Sequence, residues 1–219
     1  AGDPGAGDPG AGDPGEEPRG EAATDASEQA MDLFHEEGGG FESLGSEETF
    51  DMAADMDSQG FQDLGGEGTF EMIESMGHDQ FMDLGGEQMA GAFSAMDAGQ
   101  MEDMGHDQVF DAAGQMEHGD FLDMESDGAL AMFETMGHEQ AGELEGDQLA
   151  GMFGAMEADQ FHSIGGDQLF ESAGGMSGEE FMMMDSESAF GMFDAMGSET
   201  AMGMEGDQLG GMFGAMDAE

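Results

Sequence analysis

A twenty-residue period governs this chain from Phe41 to Glu219. Nine copies follow one another, the ninth short only of its twentieth residue. "EGDQLAGMFGAMEADQ" (145–160) and "EGDQLGGMFGAMDAE" (205–219) belong to copies six and nine, three periods apart. A fixed period of this length marks a repeat architecture, in which one unit cannot bury its apolar face alone and stacks on its neighbours. Position 16 is Met in all nine copies: Met56, Met76, Met96, Met116, Met136, Met156, Met176, Met196 and Met216. Position 7 is acidic in all nine: Glu47, Glu67, Glu87, Asp107, Asp127, Asp147, Asp167, Glu187 and Asp207. Position 4 is always Leu, Ile or Met, and position 1 is Phe in six copies.

Each copy divides into a longer and a shorter segment. In copy six the longer one is "GDQLAGMFGAM" (146–156), where Leu149, Met152, Phe153 and Met156 fall at i, i+3, i+4 and i+7. That spacing is one face of a helix. Ser46, Gly146 and Ser186 precede their helices and suit an N-cap. The acid at position 7 then sits in the first turn, where the helix dipole favours negative charge. The shorter segment, "ADQFHSIG" (158–165), offers Phe161 and Ile164 at i, i+3 and then Gly165 as a stop, which predicts about one helical turn. One Val and two Ile in the whole chain argue against a β fold. Neither segment is long enough to stand alone in water, since helices below ~12 residues are marginal. Glycines inside the long segment, such as Gly151 and Gly154, cost up to ~1 kcal/mol each relative to Ala. Close stacking of neighbouring layers is the expected compensation. The predicted fold is an all-α solenoid of nine 20-residue repeats, each a longer helix plus a short helical turn.

Positions 10 and 13 behave as a pair. Copies one, two, four and seven carry Phe50, Phe70, Phe110 and Phe170 at position 10, with Ala or Ile at 13. Copies three, five, six and nine carry Phe93, Phe133, Phe153 and Phe213 at position 13. Copy eight has both Phe190 and Phe193. One ring per layer reads as conserved volume in a packed interior.

Ahead of the copies, residues 21–40 read as a degenerate N-terminal capping repeat around "SEQAMDLF" (27–34). Residues 1–20 open with three "AGDPG" units and read as an extended acidic arm. The half-repeats "DQLAGM", "DQFHSI" and "EQMAGA" place an acid and Gln before apolar, two others, apolar. In this they resemble the short "TPEQ"-type helical repeats of bacterial surface and secreted proteins, though without the prolines of that pattern. The resemblance covers the repeat region and implies no activity.

The charge is extreme: 53 acidic residues against one basic residue, for a formal net charge of -52. Nucleic acid is excluded as a partner, because phosphate recognition needs Lys and Arg. No apolar run approaches the ~18 residues of a membrane span. Cationic partners and metal ions are favoured. The position-7 acids would form a ladder up one flank. At a layer spacing of ~10 Å, two neighbouring charges in water repel by roughly 0.4 kcal/mol. Weak, multiple Ca2+ sites on those nine acids are the candidate metal sites, with diffuse counterion screening as the bland alternative. Met pairs at i, i+4 (Met52 and Met56, Met132 and Met136, Met192 and Met196) could hold soft Cu(I), but they share the apolar stripe and read as core. "FMMM" (181–184) is the one place where Met should face both ways. His78, His118 and His138 share position 18, beside acids, but no H-x-x-x-H spacing occurs.

Catalysis is not expected. There is no cysteine and no lysine, and no nucleophile elbow, P-loop or dinucleotide fingerprint is present. The chain begins at Ala1, as a mature product would. The expected function is a structural, self-assembling acidic repeat protein, secreted or at the cell surface. Its subunits would join head to tail through an uncapped ninth copy as a homopolymer, with cations offsetting the charge. The alternatives are a monomeric calcium-binding acidic protein for storage or mineral control, a Met-rich copper carrier, a halophilic scaffold for a basic partner, and a fragment of a longer array.

Overall fold

The computed structural model describes residues 21–35 and 40–217, so the acidic arm expected over 1–20 lies outside the described residues. Among the described residues the chain is all helical, with no strand. Helix α1 (Glu21–His35) is followed by a 3-10 turn at Phe41–Ser43, then α2 (Ser46–Asp55), α3 (Ser58–Met76), α4 (His78–Phe81) and α5 (Gly86–Ala95). Next come α6 (Ala98–Met104), α7 (His106–Ala113), α8 (His118–Leu122), α9 (Ser126–Ala141) and α10 (Gly146–Ala155). The chain finishes with α11 (Phe161–Ile164), α12 (Gly166–Ala173), α13 (Gly178–Phe181), α14 (Ser186–Ala201) and α15 (Gly206–Met216).

Long and short segments alternate as the spacing predicted. Helices α2, α5, α7, α10, α12 and α15 are long segments; α4, α6, α8, α11 and α13 are short ones. Three helices hold one of each, bent at a glycine: Gly65 in α3, Gly137 in α9 and Gly197 in α14. Gly137 has φ 74 and ψ 160, a region open in practice only to glycine. The chain turns there without leaving helix on either side.

Ser46, Gly146 and Ser186, expected as N-caps, are instead first helical residues. The cap positions are Gly45, Glu145 and Asp185. An acid there, or a polar residue three places on, does what a cap glycine cannot. The Asp185 carboxylate accepts from the Glu187 and Ser188 amides at 2.8 and 2.9 Å, and the Glu145 amide donates to Gln148 Oε1 at 3.0 Å. Eight of the nine position-7 acids lie in the first turn of their helices, and Glu67 follows the bend at Gly65 inside α3.

The apolar stripe forms one continuous core. Position 1 is buried in every copy, from Phe41 at 0% exposure to Ala201 at 1%. Position 16 is buried from Met56 to Met196 and loses that cover only at Met216. The paired methionines Met52 and Met56, Met132 and Met136, and Met192 and Met196 are all in the core. In "FMMM", Phe181 and Met184 point inward and Met182 and Met183 outward, as expected.

Many contacts between layers join an element to the third element after it, and long segments also meet the long segment two copies on, as α5 meets α9 and α10 meets α14. Short α6 packs on α9, α8 on α10, α11 on α14 and α13 on α15; long α5 packs on α8 and α10 on α13. Elements alternate in type, so the third one on is always of the other type. Two such steps, six elements or 60 residues, bring back an element of the same type.

The Phe exchange between positions 10 and 13 is not a swap within one site. Phe93, Phe133 and Phe153 at position 13 are buried, whereas Phe50, Phe70, Phe110 and Phe170 at position 10 are only half-buried. Position 11 supplies the reason. It is Asp51, Glu71, Asp111 or Glu171 in the four copies whose one ring is at position 10, and Gly91, Ala131, Gly151, Gly191 or Gly211 in the five with a ring at position 13, copy eight carrying Phe190 as well. There the start of a short segment presses onto the helix backbone. A Cβ on Gly91 would lie 2.5 Å from Ser58 Cα, and one on Gly151 would lie 2.6 Å from the His118 carbonyl oxygen. The cost of these helical glycines is thus offset by close approach of backbones, and in copies three, five and six the ring at position 13 is interior.

Candidate interaction surface

Two surfaces stand out: the acidic flank and the C-terminal end. On the flank, eight of the nine position-7 acids, Glu47, Glu67, Glu87, Asp107, Asp127, Asp167, Glu187 and Asp207, are exposed; Asp147 is half-buried. Layer contacts tie two of them to a neutral donor. Gln140 Nε2 donates to Asp107 Oδ1 at 3.1 Å and Gln160 Nε2 to Asp127 Oδ1 at 3.0 Å. An amide in that place bridges layers without adding to the repulsion between acids. Among the described residues no group of three or more His, Asp or Glu is arranged to hold a metal ion.

Three of the six histidines reach a neighbouring layer. His138 Nε2 lies 3.1 Å from Glu171 Oε2 and His162 Nε2 lies 3.2 Å from Asp194 Oδ2. His118 Nδ1 donates to the Asp147 carbonyl at 3.0 Å. Each contact spans one layer step; the shared position 18 of His118 and His138 places each against the following layer.

A further set of layer bonds was not legible in advance. The side chains of Gln88, Gln148, Ser188 and Gln208, all at position 8, donate to the carbonyls of Met56, Met116, Met156 and Met176. Each pair is 32 residues apart. The carbonyl sits where a long segment leaves its helix and would otherwise lack a partner. Gln also fills position 8 in copies four and seven, as Gln108 and Gln168, where neither is buried. The joint signal is a polar position 8 with glycine at position 11.

At the C-terminal end, large apolar side chains come to the surface. Among the described residues the exposed ones are Leu122, Met182, Met183, Phe190, Met202 and Phe213, five of them in the last two copies. Phe153 packs against Phe161, eight residues on, at 6.1 Å between ring centroids, and Phe170 lies against Gly203, thirty-three residues on. Met182 lies against Gly214, thirty-two residues on, and Met202 is 77% exposed. Acids Asp194, Glu199, Asp207 and Asp217 are also exposed at this end.

The other end is different. Ser27 of α1 meets Gly60, thirty-three residues on, in the register of a preceding long helix. Ala26, Ser27 and Ala30 are buried, whereas Asp25, Glu28, Gln29 and Asp32 face out. No described helix is long and apolar enough to cross a membrane.

Comparison with family models, with curated proteins and with solved structures finds no match to this chain.

Proposed function

We propose that this chain is a structural, self-associating acidic repeat protein: an α-solenoid of nine 20-residue copies that associates through its exposed apolar side chains. The observation that carries this reading is that five of the six exposed large apolar side chains among the described residues, Met182, Met183, Phe190, Met202 and Phe213, lie in the last two copies. Apolar side chains gathered on an otherwise acidic protein mark an association site. The expected head-to-tail polymer is one way of using it. Diffuse cations, calcium among them, offset the charge of the joined subunits, and the likeness of the half-repeats to surface repeats supports an extracellular setting.

Sedimentation velocity across a range of protein concentration, at physiological salt, with chelator and with calcium, tests the reading. Species larger than the 22.8 kDa monomer are expected, growing with concentration and enhanced by calcium. Met202→Glu, a change at an exposed side chain, should suppress them while leaving the circular dichroism spectrum intact. Monomers at every concentration and salt would sink the proposal.

A further inference from the structure

Among the described residues there is no lysine or arginine, so histidine is the one side chain there that can carry a positive charge. Two of the described histidines meet a carboxylate, and both do so across a layer step. His138 Nε2 lies 3.1 Å from Glu171 Oε2, thirty-three residues on, and His162 Nε2 lies 3.2 Å from Asp194 Oδ2, thirty-two residues on. The first pair joins α9 to α12 and the second joins α11 to α14, helices that also pack on each other. All four side chains stay partly exposed, His138 least at 33%, so protons reach them from water.

The surroundings of the two rings have one sign. Of the helices packed on α9, α6 and α7 carry Glu102, Asp103, Asp107 and Asp111. Helices α5 and α10 add Glu87 and Asp147, and α12 adds Asp167 beside Glu171. The one further titratable base on those helices is His106. Helix α11 packs on α12 and on α14, which carries Glu187, Asp194 and Glu199. A proton on either ring therefore meets an acid and turns a neutral contact into a charge-assisted bond.

Unfolding separates these partners by their distance along the chain, so the charged bond belongs to the folded stack alone. Its stabilisation is present below the histidine range, near pH ~6.5, and is lost as pH rises through it. In a stack each layer is held only by its neighbours, so a bond between layers acts directly on cohesion. We infer that His138–Glu171 and His162–Asp194 are acid-set clasps between layers. Mild acid closes them and tightens the stack from α9 to α14; alkaline pH releases them. Each clasp lies within one chain, so the inference stands apart from self-association.

Removing an acid from so negative a chain relieves repulsion. At Glu171 and Asp194 the sign should reverse in mild acid. Thermal melts followed by circular dichroism, at low ionic strength and at about pH 5.5 and about pH 8, read this. In the acid melt the double variant Glu171→Gln/Asp194→Asn should fall about 1–4 °C below the parent chain, the range that two partly exposed ion pairs give at this chain length. In the alkaline melt it should lie level with the parent or above it. Glu143→Gln, at an exposed acid just past the end of α9, should lie level or above in both. His138→Arg keeps its charge in both, so it should raise the alkaline midpoint and narrow the gap between the two melts. A double variant that follows Glu143→Gln in both melts would overturn the clasps. So would one that loses equally in both, because such a bond is indifferent to the proton. No alkaline gain from His138→Arg would overturn the first clasp in the same way.

Discussion

Gln148 donates its side-chain amide to the carbonyl of Met116, thirty-two residues earlier, at 2.9 Å. The same nitrogen lies 3.0 Å from the Gly114 carbonyl, and the Gln148 oxygen accepts the Glu145 amide. One buried side chain thus closes the start of its own helix and the exit of another. Sixty residues on, Gln208 repeats the arrangement with Met176 at 2.7 Å. Replacing Gln148 by Ala should cost about 1–3 kcal/mol, because buried carbonyls lose their donor. Gln168→Ala, at an exposed side chain, should stay within about 0.5 kcal/mol. Urea unfolding midpoints of the two variants decide, and equal effects would remove the special role of Gln148.

Glycine substitutions should change sign with position. Gly210 is exposed inside α15, and a Cβ there meets nothing within 4 Å. Gly210→Ala should stabilise by up to about 1 kcal/mol, through helix propensity alone. At Gly151 the same methyl would meet the His118 carbonyl oxygen, so Gly151→Ala should destabilise by about 1–3 kcal/mol despite its better propensity. Thermal melts followed by circular dichroism would show the midpoints moving in opposite directions.

The bend at Gly137 sets a separate demand. With φ 74 and ψ 160 it lies outside the left-handed helical well that Asn tolerates. Gly137→Ala and Gly137→Asn should therefore destabilise alike, by about 1–3 kcal/mol. A clear rescue by Asn in denaturant titrations would show that the bend is an ordinary left-handed turn.

Salt should stabilise this protein. A formal charge of -52 repels itself most strongly in the compact state. The screening length falls from about 30 Å at 0.01 M to about 8 Å at 0.15 M, within reach of neighbouring layers. The melting midpoint should rise steadily across that range. A flat or falling midpoint would mean that the acids are already neutralised in the fold.

Much of the fold was legible because the apolar stripe is local. Leu149, Met152, Phe153 and Met156 name a helical face by spacing alone, and all four are buried. Gly165 marked the end of its short helix, with φ 93. The caps were placed one residue late, because Ser46 and Ser186 are good capping residues that lose the site to Gly45 and Asp185. The Phe exchange showed in the sequence, but its partner at position 11 did not. Glycine at 11 looks like a weak helix residue until another backbone is seen lying on it. The candidate acids were read as a ladder; their exposure and their Gln140 and Gln160 partners depend on contacts between distant residues.

By itself the sequence determined the period, the helical class, the alternation of long and short segments, and which side chains face inward. These follow from spacings of three and four residues, where helix geometry leaves little choice. Only the tertiary structure decided that many elements meet the third one after them. The same fold places Gln148 under Met116 and leaves Phe190, Met202 and Phe213 at the surface. A pattern of apolar positions says which face must be covered. Which neighbour covers it depends on how closely backbones can approach, and that is settled only when Gly91 and Gly151 are seen against the segments that press on them.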